Sequence, residues 1–171
     1  NLSNVAPYSN VGTATLTINP TTTGLNGNYY RCVVSGTCTP PATSNPALLT
    51  VNSSVTVTSN PSNQTICEGT GTSFTAAASG SGLIFQWEVS TNGGSTWNNV
   101  VNNANYAGAT TPTLTLTNVP PTFNNYRYRN NITSPPCTPG ITTAATLTVN
   151  TFPVIISHPS NLTICEGANS T

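Results

Sequence analysis

Phe85-Gln86-Trp87-Glu88-Val89-Ser90-Thr91-Asn92-Gly93-Gly94-Ser95-Thr96-Trp97 is the stretch on which the fold turns. Phe85, Trp87 and Val89 alternate with polar neighbours, the period-two pattern of a strand with one face toward a core. Asn92-Gly93 then supplies two residues that tolerate the backbone of a tight turn, so the segment reads as a strand entering a hairpin. The same alternation extends in both directions. Phe74, Ala76 and Ala78 precede it; Leu114 and Leu116, Tyr128 and Ile132, and Ala145, Leu147 and Val149 follow it. No stretch has helical periodicity.

These patterns give strands at roughly 55–58 and 63–66 (A, A′), 72–78 (B), 83–90 (C), 96–101 (C′), 112–117 (E), 125–133 (F) and 141–149 (G). Many short strands, a Trp on the third and a Tyr entering the sixth predict an all-β fold, an immunoglobulin-like β-sandwich. Trp87, Tyr128 and its counterpart Tyr30 mark the core.

The chain also repeats itself. Pro61-Ser62-Asn63-Gln64-Thr65-Ile66-Cys67-Glu68-Gly69 returns as Pro159-Ser160-Asn161-Leu162-Thr163-Ile164-Cys165-Glu166-Gly167, an offset of 98. At that offset Tyr8 matches Tyr106, Tyr30-Arg31 matches Tyr128-Arg129, and Thr50-Val51-Asn52 matches Thr148-Val149-Asn150; Cys38 and Cys137 stand 99 apart. Such a period is the mark of a tandem array. It divides the chain into the C-terminal half of one repeat (1–52), a complete repeat (53–150) and the N-terminal part of a third (151–171). Residues 1–52 are expected to superpose on 99–150 in the same strands. Half a sandwich bears an apolar face that water does not favour, so the missing strands are expected from a neighbouring copy or a continuation of the chain.

Ile66-Cys67-Glu68-Gly69, the Phe85–Trp97 stretch, Tyr106-Ala107-Gly108-Ala109-Thr110-Thr111 and Tyr30-Arg31-Cys32-Val33-Val34-Ser35-Gly36-Thr37-Cys38 resemble the immunoglobulin-like repeats of giant secreted bacterial surface proteins. The resemblance covers the whole chain and is similar to adhesins of gliding bacteria. It implies a tandem array carried through the outer membrane by a C-terminal sorting signal, with a surface or filament role, and it identifies no ligand.

Composition narrows the function. Among 171 residues only 4% are charged, with three Arg, three Glu and zero net charge, against about 25% in an ordinary domain. Thr, Asn and Ser wet the surface instead. Three arginines make no basic footprint for nucleic acid and no attraction to an anionic membrane surface. No apolar run is long enough to span a bilayer, so no membrane insertion is expected in this segment. Glu68, Glu88, Glu166 and His158 are too few and too dispersed for paired acid–base chemistry, so no catalytic, metal or cofactor site is expected. An isopeptide bond needs Lys, and a calcium clamp needs clustered carboxylates; neither is present.

Ser90-Thr91-Asn92-Gly93-Gly94-Ser95-Thr96-Trp97 nearly spells the S-x-D-x-G-x-T-W box of sialidase propellers, with Asn92 in place of Asp. That box is itself a structural hairpin, so it reads here as a C–C′ turn with Trp97 packing locally. Sequons at Asn1, Asn52, Asn63, Asn131, Asn161 and Asn169 are candidates for glycosylation, although an Asn- and Thr-rich chain generates them by chance.

Five cysteines remain. The usual B–F disulfide cannot form in the complete repeat, because Ala76 and Asn130 occupy its positions. Cys32, the counterpart of Asn130, is expected as a buried free thiol. Cys67 and Cys165 fall in the A′–B turn, and Cys38 and Cys137 in the F–G loop. These are opposite ends of a sandwich about 30 Å long, whereas bridged Cα atoms lie within about 7 Å. In a head-to-tail stack the A′–B turn of one repeat faces the F–G loop of the next, which favours inter-repeat or inter-subunit disulfides among Cys38, Cys67, Cys137 and Cys165. A within-repeat bridge through altered topology and free thiols stay open.

The expected function is a structural subunit of an extracellular filament or adhesin rod. Its partners are other copies of itself and, as second candidates, surface glycans. The alternative is a carbohydrate-binding module using Trp97, Tyr106 and Tyr126.

Overall fold

In the computed structural model, which describes residues 1–167, the alternating segments are strands. The first 52 residues hold β1 (Tyr8–Ser9), β2 (Thr17–Ile18), β3 (Tyr29–Tyr30), β4 (Val33–Val34), β5 (Ala42–Thr43) and β6 (Ala47–Leu48), paired antiparallel as β1–β2, β3–β6 and β4–β5. There follow β7 (Thr56–Ser59), β8 (Gln64–Cys67), β9 (Thr72–Thr75), β10 (Ala77–Ser79), β11 (Ile84–Ser90) and β12 (Asn98–Asn99). The chain continues through β13 (Tyr106–Ala107), β14 (Thr113–Leu116), β15 (Arg127–Ser134), β16 (Cys137–Ile141) and β17 (Ala145–Asn150).

β7 to β17 form an immunoglobulin-like sandwich. One layer runs β12-β11-β15-β17-β8, with β16 also on β15. The other consists of β13-β14-β9 and, past the buried Ala76, β10-β7. β7 and β8 therefore lie in different layers. Pro61 sits between them and has no N–H for a ladder, so pairing stops there. Asn60 and Asn63 flank the crossover, and their Oδ1 atoms accept from the amides of Thr143 and Thr146, each at 2.8 Å. This delivers β8 alongside β17 in parallel, Gln64 opposite Leu147 and Cys67 opposite Asn150.

Between the layers the core holds Phe74, Trp87, Leu114, Leu116, Val119, Tyr128, Ile132 and Leu147, each at most 1% exposed. Phe74 stacks on Tyr128 at 4.8 Å. Trp87 Nε1 donates to the Thr111 carbonyl at 2.9 Å, which resolves the one polar atom of a buried indole. Asn130 is fully buried where other sandwiches carry a cysteine. Its Oδ1 accepts from the Gln86 amide at 3.2 Å, and its Nδ2 donates to the same Thr111 carbonyl at 3.4 Å.

Pairings in residues 1–52 recur 98 residues later. Tyr8 opposes Ile18 as Tyr106 opposes Leu116, and Tyr29 opposes Leu48 as Arg127 opposes Thr146. The Tyr8–Tyr30 hydroxyl pair at 3.2 Å matches Tyr106–Tyr128 at 3.0 Å. Asn26 Oδ1 accepts from Val51 N, and Asn124 Oδ1 from Val149 N, both at 2.9 Å.

Two expectations need correction in this half. Strand F is the continuous β15 in residues 53–150, but its counterpart is broken into β3 and β4, which pair with β6 and β5, and among the described residues no strand runs beside both as β11 runs beside β15. Cys32, expected to be buried, is exposed, and Tyr30 is only half-buried. An open concavity of about 1300 Å³ is lined by Tyr8, Leu16, Tyr30, Cys32 and Val34.

Strand limits differ too. Strand B breaks at Ala76 into β9 and β10, Tyr106–Ala107 adds a short strand, and the F–G segment begins pairing at Cys137. Residues 151–165 carry no strand, and Ile155 and Ile156 are exposed. Asn169 lies outside the described residues.

Candidate functional site

The most organised polar cluster outside the core is where residues 52–55 run into the sandwich. The hairpin from β15 to β16 turns through Ser134-Pro135-Pro136-Cys137. Neither proline has a backbone N–H to donate, and the Pro135 carbonyl accepts from outside the hairpin. Asn52 Nδ2 donates to Pro135 O at 2.8 Å, and the Cys137 thiol lies 3.5 Å from Asn52 O. Ser53 donates its amide to Ser81 Oγ at 3.1 Å and shares a hydroxyl pair with it at 2.9 Å. Ser134 Oγ in turn donates to Ser81 O. Apolar contact completes the clasp: a Cβ on Gly140 would lie 2.8 Å from Val55 Cγ1, so β16 needs glycine for the connector to press against it.

At the opposite end, the Ile66-Cys67-Glu68-Gly69 turn holds the departing chain. Glu68 donates its amide to Asn150 O at 2.9 Å, and its Oε1 accepts from Phe152 N at 3.0 Å. Gly69, with φ of +74°, takes a left-handed backbone that suits glycine. Asn150 corresponds to Asn52 at the repeat offset, so both ends act on the same repeat position.

None of the five cysteines is bridged in this chain. Cys67 is opposite Asn150, at the far end of β17 from Cys137, which is opposite Ser134. Cys137 is half-buried at the clasp; Cys38, Cys67 and Cys165 are exposed. Of the sequon residues, Asn161 is exposed and Asn63 is exposed with its carbonyl engaged. Asn52 is held in the clasp, and half-buried Asn131 donates to Glu88 at 3.5 Å.

The aromatic residues do not share a platform. Trp97 lies on the outer face under Arg129, whose Cζ is 4.1 Å from the ring centroid, and Arg129 pairs with Glu88 at 2.6 Å. Tyr106 and Tyr126 instead sandwich Phe123, at 5.5 and 5.0 Å, and all three pack against the core. The Ser90–Trp97 turn closes on itself. Asn92 Oδ1 accepts from Ser90 Oγ and Thr96 N, each at 2.9 Å, and Trp97 Nε1 donates to Gly94 O at 3.1 Å.

Burial pushes the Tyr128 hydroxyl far above the ordinary tyrosine range, and burial raises Tyr106 as well. Among the described residues no three His, Cys, Asp or Glu side chains are grouped to hold a metal, and no helix is long and apolar enough to cross a membrane.

Sequence reasoning placed Asn52 and Ser53 in a short joint between repeats and named Cys137, but missed Ser81, Ser134 and Pro135. The recurrence of Val-Asn at 51–52 and 149–150 was the available signal for a specified joint.

Several solved structures resemble the chain. The extracellular domains 3–5 of Drosophila OTK align with a TM-score of 0.55 and 13% identity, covering 79% of this chain and 43% of that one. The titin M10–obscurin-like 1 immunoglobulin complex aligns at 0.48 and 15% identity, over 61% of this chain and 100% of that one. The Ig1–2 module of Drosophila receptor tyrosine phosphatase DLAR aligns at 0.46 and 20%, over 58% and 50%. At these identities the likeness to OTK is one of fold. No curated protein matches. Residues 56–151, more than half of the chain, match the model of one family, and the chain belongs to it: the domain of unknown function DUF8696.

Proposed function

We propose that this chain is a section of an extracellular bacterial rod or filament, built from immunoglobulin-like units stacked end to end, with a mechanical rather than catalytic role. The observation that carries the reading is the clasp on residues 52–55. A flexible tether would leave its connector in water, whereas Asn52 and Ser53 are hydrogen-bonded to the F–G hairpin and to Ser81. Such a joint fixes direction from unit to unit and transmits tension into β15 and β17 rather than absorbing it. The near absence of charge supports close packing of neighbouring rods, because little repulsion separates them.

The partners on this reading are further copies of the chain. A sugar platform is less well supported, since the Trp97 face is occupied by Arg129 and the Tyr106 and Tyr126 rings pack on Phe123.

Immunogold microscopy of the source cells, with antibody raised against the purified chain, tests the reading. Label along surface filaments is expected. Label confined to the cell interior would refute it.

A further inference from the structure

The two ends of the sandwich converge on one repeat position, and each brings a cysteine. At the near end the Cys137 sulfur is 3.5 Å from Asn52 O. At the far end Asn150, the counterpart of Asn52, is paired with Cys67, and its carbonyl accepts from the Glu68 amide at 2.9 Å. The preceding unit presents its strand end in the same way at both places, because Asn26 and Asn124 hold Val51 and Val149 at the same 2.9 Å.

Setting a following unit on Asn150 as residues 53–150 sit on Asn52 therefore brings that unit's F–G sulfur to the carbonyl beside Cys67. The sulfur is then no farther than about 6.4 Å from the Glu68 nitrogen, the 3.5 and 2.9 Å distances laid end to end. Cys67 is exposed at the strand end. Within one unit the same two cysteines are separated by the length of β16 and β17.

We propose that Cys67 forms a disulfide with the counterpart of Cys137 in the following unit, and that Cys137 does so with the counterpart of Cys67 in the preceding one. A staple then locks every joint of the array. Each bridge forms one S–S bond from two thiols by exchange with a disulfide-bearing oxidant, whose two sulfurs leave as thiols carrying the two protons and two electrons. Cys38, Cys67, Cys137 and Cys165 are all unbridged in this chain. The proposal rests on the stacked-unit reading.

The test uses the full chain lengthened by duplicating residues 53–150 in place, so that residue 150 of the first copy is followed by residue 53 of the second. In all variants Cys32, Cys38 and Cys165 are replaced by Ser. A forward variant keeps Cys67 only in the first copy and Cys137 only in the second; a reverse variant keeps Cys137 only in the first and Cys67 only in the second. Both are folded, exposed to glutathione disulfide, alkylated and mapped unreduced by mass spectrometry, and their dimensions are measured by small-angle scattering.

The forward variant is expected to lose both alkylatable thiols to one intramolecular bridge, and the reverse variant to bridge neither within its chain. An extended forward variant that keeps both thiols would overturn the staple and leave the rod reading standing. An unbridged forward variant whose units fold back on each other would overturn both. Intramolecular bridging of the reverse variant would overturn the end-to-end geometry.

Discussion

Trp87 and Asn130 show how single residues set this core. The indole and the amide meet at one carbonyl, Thr111 O, where a cysteine pair would otherwise link the layers. Trp87→Ala should destabilise the sandwich by about 3–5 kcal/mol, read from chemical denaturation, because it empties the largest volume in the core. Trp87→Phe should cost less but still leave the fold weaker, having removed the indole N–H from Thr111.

Tyr128 gives a second residue-scale outcome. Its folded pKa lies above the unfolded value of about 10, so the folded state retains its proton where the unfolded state has lost it. Stability should hold below about pH 10 and fall above it by about 1.4 kcal/mol per pH unit for each such tyrosine. Denaturation curves taken on both sides of that pH check the slope. Tyr128→Phe should flatten it.

Among the elements, the β11–β12 turn is held by its own side chains. Asn92→Asp keeps the Oδ1 acceptor for Ser90 and Thr96 and should leave stability within about 0.5 kcal/mol, whereas Asn92→Ala should lose about 1–2 kcal/mol. Thermal melts of the two variants distinguish these outcomes. The alternating segments from Phe74 to Val149 were legible because strand period and burial coincide in them. The break of strand B at Ala76 was not, since small residues on both sides preserve the alternation while the pairing partner changes from β14 to β7. The parallel β8–β17 pair was equally hidden. It depends on Asn60 and Asn63 reaching Thr143 and Thr146, each 83 residues away, a contact that no local pattern encodes. The exposure of Cys32 was hidden as well, because its alternating neighbours suggest one continuous strand whereas the chain around it forms only the two-residue strands β3 and β4, paired with β6 and β5.

For the whole molecule the central claim is that the units stack stiffly, through a joint specified by Asn52, Ser53, Ser81 and Pro135. Asn52→Ala removes the side-chain bond to Pro135 and should leave the melting of the sandwich nearly unchanged while loosening the joint. The most direct measurement is small-angle scattering on chains lengthened by one, two and three duplicated copies of residues 53–150. A stiff stack predicts that the maximum dimension grows by a constant increment of about 40 Å per added unit, the length of the segment from Cys137 to Asn150 at strand rise. Growth that falls off with each added unit, as in beads on flexible tethers, would contradict the account.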